Sequence, residues 1–234
     1  MAAYMEHSEE LLESLGKYYT LTNNKLLLGL RDSLIKHNVD LTDVLSWGQL
    51  RSKRWLIDEL ESHDLDLGVV FLCAGWYGTL AHMLFDSKCI VNKIRSFDID
   101  PSCANIADTV NMQYIDGWKF KAITQDILDI NYHSHTWRGW SNLKQSYSNP
   151  ITDTPNTIIN TSCEHISNFD KWYDSIPNGK LVILQTNNYF NLPEHVNCVE
   201  DQEEFDLLTP MEDTLYLGTL ALEKYNRFMK IGYK

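Results

Sequence analysis

The chain has 234 residues, of which 44% are hydrophobic and 22% are charged, as is ordinary for a folded protein. Its net charge of −12 repels a phosphate backbone at long range, which makes nucleic acid a less favoured partner. No apolar run approaches the roughly 18 residues that a membrane-spanning helix needs, so we expect no transmembrane segment. The length fits one large α/β domain with additions.

The cysteines and the basic residues bear on the cellular compartment and on the binding partners of the protein. The five cysteines are odd in number and contain no CxxC pair, and no secretory signal precedes them, so we expect no disulfide framework. These features predict a cytoplasmic protein. The one basic patch contains Arg51, Lys53 and Arg54, which we interpret as the solvated face of a helix.

The first 63 residues have helical periodicity throughout. Apolar residues recur at helical spacing over Leu26–Ile35 and Gln49–Ser62, after an earlier amphipathic stretch. We therefore treat residues 1–63 as an N-terminal helical extension packed on a core formed by residues 64–234. The extension either covers a sheet edge or roofs a ligand cleft.

A β-α-β unit follows the helices. Short apolar runs over Val69–Leu72 and Ile94–Phe97 predict two buried strands, with a helix beginning near Thr79 between them. Gly75 and Gly78 lie in the turn after the first strand, where glycine permits positive φ and close approach of a ligand to the backbone. Free N–H groups at the helix start favour a ligand there as well.

An acidic residue ends the second strand of this unit. Asp98 lies 20 positions after Gly78, the separation at which a carboxylate accepts hydrogen bonds from both hydroxyls of a ribose. The order of strand, glycine turn, helix, strand and acid predicts a nucleoside site. The alternative is an ordinary α/β turn with no ligand.

A third strand and a long polar segment come next. Trp118–Thr124 alternates as a strand and leads to Asp126, and the polar segment Asn131–Pro155 follows. A loop of that length is usually functional or mobile, so we expect either a lid over a substrate or a plain surface loop. Its histidines, His133 and His135, have no carboxylate or cysteine at ligand spacing, and no metal site is predicted.

The remainder alternates strands and helices. Strands are predicted over Thr157–Asn160, Lys180–Gln185, Thr214–Leu222 and Asn226–Gly232, the last two paired antiparallel, with a helix over Glu200–Leu208. Alternation of this kind predicts a mostly parallel sheet covered by helices on both faces. Ligands bind beyond the carboxyl ends of such strands.

Residues 69–234 resemble the class I S-adenosylmethionine-dependent methyltransferase family. The resemblance is carried by VVFLCAGWYG at 69–78, FDIDP at 97–101, TQDIL at 124–128, NTIINTSCEHI at 156–166, IPNGKLVIL at 176–184 and NRFMKIGYK at 226–234. It implies a Rossmann-like, doubly wound, mostly parallel seven-stranded sheet with an antiparallel last strand, preceded here by the N-terminal helices. It also implies S-adenosyl-L-methionine as the cofactor and S-adenosyl-L-homocysteine as its product.

The resemblance assigns cofactor contacts to matching positions. It places Asp98 on the ribose, Asp126 on the adenine amino group and the end of the fourth strand opposite the sulfonium. The residues implicated in cofactor binding are Ala74, Gly75, Trp76, Tyr77, Gly78, Asp98, Ile99, Asp126, Ile127, Asn160 and Thr161.

The turn departs from the family pattern D-x-G-x-G. Phe71 and Cys73 stand near the places of its acid and first glycine, and one residue is inserted at Trp76-Tyr77. These aromatic rings either contact the sulfonium through a cation–π interaction or simply pack at the helix start.

Glu164 and His165 are the predicted acid/base residues, because polar side chains at a strand end lie where such sites form. The alternatives are that His165 caps the next turn and that Glu164 is a solvated charge. Three functions remain: a methyltransferase acting on a small molecule or a peptide, a catalytically inactive methyltransferase-fold binding or regulatory protein, and a nicotinamide-dependent oxidoreductase. The last ranks lowest because Cys73 stands where G-x-G-x-x-G requires its first glycine. The acceptor and the oligomeric state do not follow from the sequence.

Overall fold

A computed structural model describes residues 8–141 and 145–234. Within the described residues, three helices precede the first strand: α1 (Ser8–Thr22), α2 (Lys25–His37) and α3 (Trp47–Ser62). The side chains of Asn24 and Ser46 cap the second and third of these by accepting a hydrogen bond from a first-turn amide. No helix in the described ranges is both long and apolar enough to cross a bilayer.

The α/β part follows in alternation. Its elements are β1 (Asp66–Cys73), α4 (Thr79–Asp86), β2 (Ile90–Asp98), α5 (Cys103–Val110), β3 (Phe120–Thr124), β4 (His135–Trp137), β5 (Trp140–Ser141), β6 (Ser146–Tyr147), β7 (Ile151–Asp153), β8 (Thr157–Asn160), α6 (Phe169–Ser175), β9 (Leu181–Asn187), α7 (Gln202–Leu208), β10 (Asp213–Ala221) and β11 (Asn226–Tyr233). Seven of these strands form the main sheet in the order β10-β11-β9-β8-β1-β2-β3.

The main sheet is parallel except for its last strand. β1 pairs parallel with β2 and with β8, and β9 and β3 continue the parallel pattern outward. β11 runs antiparallel to both β9 and β10. The predicted doubly wound, seven-stranded sheet with an antiparallel last strand is therefore confirmed. The strand order reverses at β1, so a ligand crevice is expected beyond the carboxyl ends of β1 and β8.

Side chains of β1 alternate between the two hydrophobic layers. Leu72 packs with Leu56 and Leu60 of α3, all buried, on one face of the sheet. Phe71 packs with Trp172 of α6 on the other. The third N-terminal helix therefore contributes directly to the core under the sheet, which holds it beside the ends of the strands.

The described residues of the segment 131–155 include two short antiparallel strand pairs, where the sequence predicted a loop. β4 pairs antiparallel with β7, and β5 pairs antiparallel with β6. The buried Arg95 of β2 donates from Nε to Asp153 Oδ2 at 2.7 Å, and Trp137 donates to the same oxygen at 2.7 Å. The Arg95 guanidinium also lies 4.7 Å from the centre of the Trp137 ring. This buried ion pair anchors the segment across the outer part of the sheet.

The third strand begins later than predicted. Gly117 and Trp118 both adopt positive φ, of 66° and 56°, so the extended backbone starts only at Phe120. The Trp118 ring instead packs edge-on against Trp137, with ring centres 5.3 Å apart. Trp118 fits the alternating pattern of a strand in the sequence, but in the structure its side chain packs against the segment 131–155.

Candidate active site

The turn after β1 has an unusual backbone. Ala74, Trp76 and Gly78 have φ of 51°, 48° and 70°, in the left-handed region. That region costs a non-glycine residue of order 1 kcal/mol and is found often at functional sites. Gly75 serves another purpose: a Cβ there would overlap the Ser96 hydroxyl of β2. The predicted positive φ is therefore confirmed for Gly78 and wrong for Gly75, which provides close approach instead.

Asp98 holds this turn against the end of β2. Its Oδ2 accepts the Trp76 N–H at 2.8 Å, and its Oδ1 accepts the Asp100 N–H at 3.0 Å. The Gly75 N–H donates to the Phe97 carbonyl at 2.9 Å. Each carboxylate oxygen can accept a further hydrogen bond, so Asp98 is fixed in place while it can still receive two hydroxyl groups.

A cavity of about 480 Å³ opens at the turn, and we call it the turn cavity. Ala74, Trp76 and Asp98 line one end, and Asp126 and Ile127 line another part. The Asp126 Oδ1 accepts the Leu128 N–H at 2.9 Å, which fixes the carboxylate after β3.

Ile99 also lines the turn cavity, with 69% of its surface exposed. Together with the buried Ile127 it gives the turn cavity two apolar side chains, which suit contact with an apolar ring.

A small pocket of about 40 Å³ lies behind the turn and contains a buried lysine. Lys53 is only 8% exposed, and its ammonium donates to Gln49 Oε1. Burial, reinforced by the positive charge of Arg227, lowers the pKa of Lys53 to about 7. The prediction that Lys53 belongs to a solvated helix face is therefore wrong. A buried ammonium without a carboxylate hydrogen-bond partner is suited to bind an anion.

The same pocket is also lined by Gly75, Trp76, Tyr77 and Thr161. The Trp76 and Tyr77 rings stack on each other, with centres 4.9 Å apart and planes 29° apart.

A second cavity of about 680 Å³ adjoins the first, and we call it the histidine cavity. Glu164, His165 and His195 line it, and His165 also lines the turn cavity. Glu164 is buried and accepts from Arg227 Nη2 at 3.0 Å, so the alternative of a solvated charge is wrong. Asn187 donates to the same Glu164 oxygen at 2.7 Å.

The structure brings most of the predicted residues to these cavities. Two of them lie behind the surface: Gly78 precedes α4, and the buried Asn160 accepts the Ser162 N–H at 2.9 Å. Asn160 therefore shapes the strand end, and neither cavity is lined by it.

Asp43, Gln49 and Lys53 come from the N-terminal helical region and line the cavities, although no site role was expected for them from the sequence. These three residues belong to no sequence motif. Their place at the cavities, and the burial of Lys53, follow only from the folded structure. By contrast, no described residue of the segment 131–155 lines either cavity, which favours the alternative of a surface segment over that of a lid.

Comparison with solved structures identifies the fold. The N-methyltransferase NodS from Bradyrhizobium japonicum WM9, solved with S-adenosyl-L-homocysteine, superposes with a TM-score of 0.56 at 10% identity, over 90% of this chain and 98% of that one. YcgJ from Bacillus subtilis gives 0.54 at 9% identity, over 77% and 98%. A geranyl diphosphate methyltransferase, in complex with GPP and sinefungin, gives 0.53 at 8% identity, over 79% and 77%. No family model and no curated protein sequence matches the chain.

The strand order, the antiparallel last strand and these superpositions define the class I methyltransferase fold.

Proposed function

We propose that this chain is an S-adenosyl-L-methionine-dependent methyltransferase that acts on a small-molecule or peptide acceptor. The observation that supports this most is Asp98, whose carboxylate is fixed to the turn backbone while facing the turn cavity. NodS, which has the same fold, was solved with S-adenosyl-L-homocysteine.

The residues that line the turn cavity suit the parts of this cofactor. Asp98 would accept the ribose hydroxyls, Asp126 would accept the adenine amino group, and Ile99 and Ile127 offer apolar contact to the ring. Lys53, in the pocket behind the turn, would bind the methionine carboxylate through a charge-assisted hydrogen bond. Such a bond would offset the loss of a turn acid at Phe71 or Cys73.

The acceptor occupies the histidine cavity, next to the methyl group. His165 lies at the junction of the two cavities, where an acid/base or positioning group is required. When bound, the cofactor would supply a methyl group that passes to an electron pair of the acceptor, while sulfur keeps the electrons of the broken carbon–sulfur bond. The residues of the histidine cavity would serve to orient the acceptor toward that group.

The N-terminal helices serve as the roof of this site. Asp43, in the connection between α2 and α3, and Gln49, in the first turn of α3, each line both cavities. Leu56 and Leu60 anchor α3 in the core. The extension 1–63 thus completes the site that residues 64–234 carry. A segment outside the common fold that covers the site is one way in which a widely used fold becomes specific for one acceptor.

The two other functions receive less support. The antiparallel β11 lies between β9 and β10, whereas the dinucleotide-binding order of oxidoreductases is entirely parallel. A catalytically inactive binding protein is favoured by the altered turn at Phe71 and Cys73. A second cavity that joins the cofactor cavity at a histidine favours catalysis instead.

Turnover tests the proposal. The protein is incubated with S-adenosyl-L-methionine and fractionated small-molecule and peptide pools, and release of S-adenosyl-L-homocysteine is measured. We expect release that depends on one fraction and is lost in Asp98→Ala but retained in Asp129→Ala, whose carboxylate lines neither cavity. Cofactor binding without turnover in any pool would favour the inactive binding protein.

A further inference from the structure

Three metal-ligand side chains meet in the histidine cavity. Glu164 and His165 lie in the turn after β8, and His195 lies in the loop after β9, 30 positions further along the chain. One donor atom from each lies within 4.8 Å of the other two. We propose that Glu164, His165 and His195 bind a divalent transition-metal ion in the acceptor cavity. No metal site was expected from the sequence.

Both histidine rings are held in the tautomer that a metal requires. Nδ1 of His165 lies 3.1 Å from the Glu194 carbonyl oxygen, and Nδ1 of His195 lies 2.7 Å from the Tyr189 carbonyl oxygen. A carbonyl oxygen only accepts, so each Nδ1 carries the proton. Each Nε2 of the neutral ring therefore presents a lone pair. A backbone carbonyl on the far nitrogen is a common support for a metal-binding histidine.

The two rings are in contact with each other. Their centres lie 4.7 Å apart, and their planes are nearly perpendicular at 82°. Both residues line the histidine cavity, so the contact lies at its wall.

Glu164 supplies the anionic ligand. It is 2% exposed, and its Oε1 accepts from both Asn187 and Arg227. Its Oε2 is buried and has no hydrogen-bond partner among the described residues. An unsatisfied buried polar atom is destabilising, and most buried polar atoms in native proteins have a partner. A bound cation would satisfy it.

Arg227 keeps this carboxylate in place. Its Nη1 donates to the Thr161 carbonyl at 2.9 Å while Nη2 holds Glu164. Glu164 is therefore positioned by two groups on one oxygen and is available on the other.

The donor set indicates the kind of ion. Two imidazole nitrogens and one carboxylate oxygen suit Zn²⁺, Fe²⁺, Co²⁺ or Mn²⁺ better than Mg²⁺, which prefers oxygen ligands. Three protein ligands leave coordination positions open, as in catalytic metal sites. All three residues line the cavity of about 680 Å³, and His165 also lines the turn cavity, so an acceptor in the histidine cavity would be near the ion.

The site points to a hydroxyl acceptor, an inference that rests on the proposed methyltransferase function. A metal-bound hydroxyl loses its proton to water at neutral pH more readily than a free one. The resulting oxyanion forms the O–C bond as the methyl–sulfur bond breaks, and sulfur keeps the electron pair. Ether, S-adenosyl-L-homocysteine and one released proton balance the reaction. Glu164 and His165 would then act as ligands rather than as a general acid and base.

Cobalt titration tests the site without any turnover. The full-length protein is first stripped with a chelator, and Co²⁺ is added while visible d–d absorption is recorded; Zn²⁺ binding is measured by calorimetry. We expect one ion per chain with a Kd in the micromolar range. His195→Gln and Glu164→Gln should each weaken binding at least tenfold. His133→Gln, an exposed histidine of the segment 131–155, should leave binding unchanged.

Two controls distinguish the absence of a metal site from unfolding of a variant and from failure of the proposed cofactor binding. Circular dichroism and thermal melting establish that each variant is folded, and His195→Gln keeps the Glu164–Arg227 pair if Glu164→Gln does not fold. S-adenosyl-L-methionine is titrated into the stripped wild type in parallel. Absence of one-to-one Co²⁺ binding, or binding that His195→Gln leaves intact, overturns the metal site even where cofactor binding stands. Co²⁺ binding lost in His195→Gln supports the site even where the cofactor fails to bind.

Discussion

Lys53→Met is expected to stabilise the cofactor-free protein, and to do so more at acidic than at alkaline pH. The methionine keeps the apolar stem of the lysine in its pocket and removes the ammonium. In the folded state the pKa of Lys53 is lowered from 10.5 to about 7, chiefly by burial. Between these two values the unfolded chain binds more protons than the folded one, so the stability of the wild type rises with pH.

The size of the effect follows from that shift. Each pH unit between the folded and unfolded pKa changes the free energy of unfolding by about 1.36 kcal/mol. From pH 6 to pH 8.5 the wild type should therefore gain about 2 kcal/mol relative to Lys53→Met, because the lower end of this range lies below the folded pKa.

Urea denaturation of both proteins at pH 6 and pH 8.5 measures this difference, with linear extrapolation to water. Other titrating groups are common to the two proteins, so their contributions cancel in the comparison. A stability gap that stays constant across this range would show that Lys53 is not a buried, unpaired ammonium. The assignment of this residue to an anion would then have no physical basis.

Three further outcomes are expected. Lys53→Met should weaken S-adenosyl-L-homocysteine binding about 10- to 100-fold by calorimetry, since a charge-assisted hydrogen bond contributes about 1.5–3 kcal/mol; an unchanged Kd would place the methionine carboxylate elsewhere. Gly75→Ala should destabilise the fold by about 1–3 kcal/mol through overlap with the Ser96 hydroxyl, and Ser96→Ala in the same chain should restore part of that loss; a double variant no better than the single one would contradict the close approach. Asp153→Ala should cost about 3–5 kcal/mol in chemical denaturation by leaving Arg95 buried without its partner, whereas Asp129→Ala should be nearly neutral.

Local patterns were sufficient to predict the architecture. The prediction used the alternation of strands and helices, the glycine turn and Asp98. Each of these features involves residues that are close together in the sequence, where hydrophobic periodicity indicates the secondary structure. The antiparallel β11 was likewise predicted from a tail of two alternating stretches. The strand register follows from which side chains must be buried, as Phe71 and Leu72 show on opposite faces.

The failures involve contacts between distant segments. The segment 131–155 looked like a polar loop because its stabilising contact, Arg95 with Asp153, joins residues 58 positions apart. Lys53 looked solvent-exposed because its neighbours suggested a charged helix face, while tertiary packing buries it.

His195 went unnoticed for a related reason. It meets Glu164 and His165 only because the loop after β9 returns to the end of β8, a path that no local pattern records.

The most direct test of the central claim is calorimetric titration of S-adenosyl-L-methionine and S-adenosyl-L-homocysteine into the wild type, Asp98→Ala and Asp129→Ala. We predict micromolar binding to the wild type, which corresponds to about −8 kcal/mol, and to Asp129→Ala, with a large loss in Asp98→Ala. Absence of binding to the wild type would contradict the account. It would leave a methyltransferase fold that serves another partner, with the departures at Phe71 and Cys73 as the physical reason.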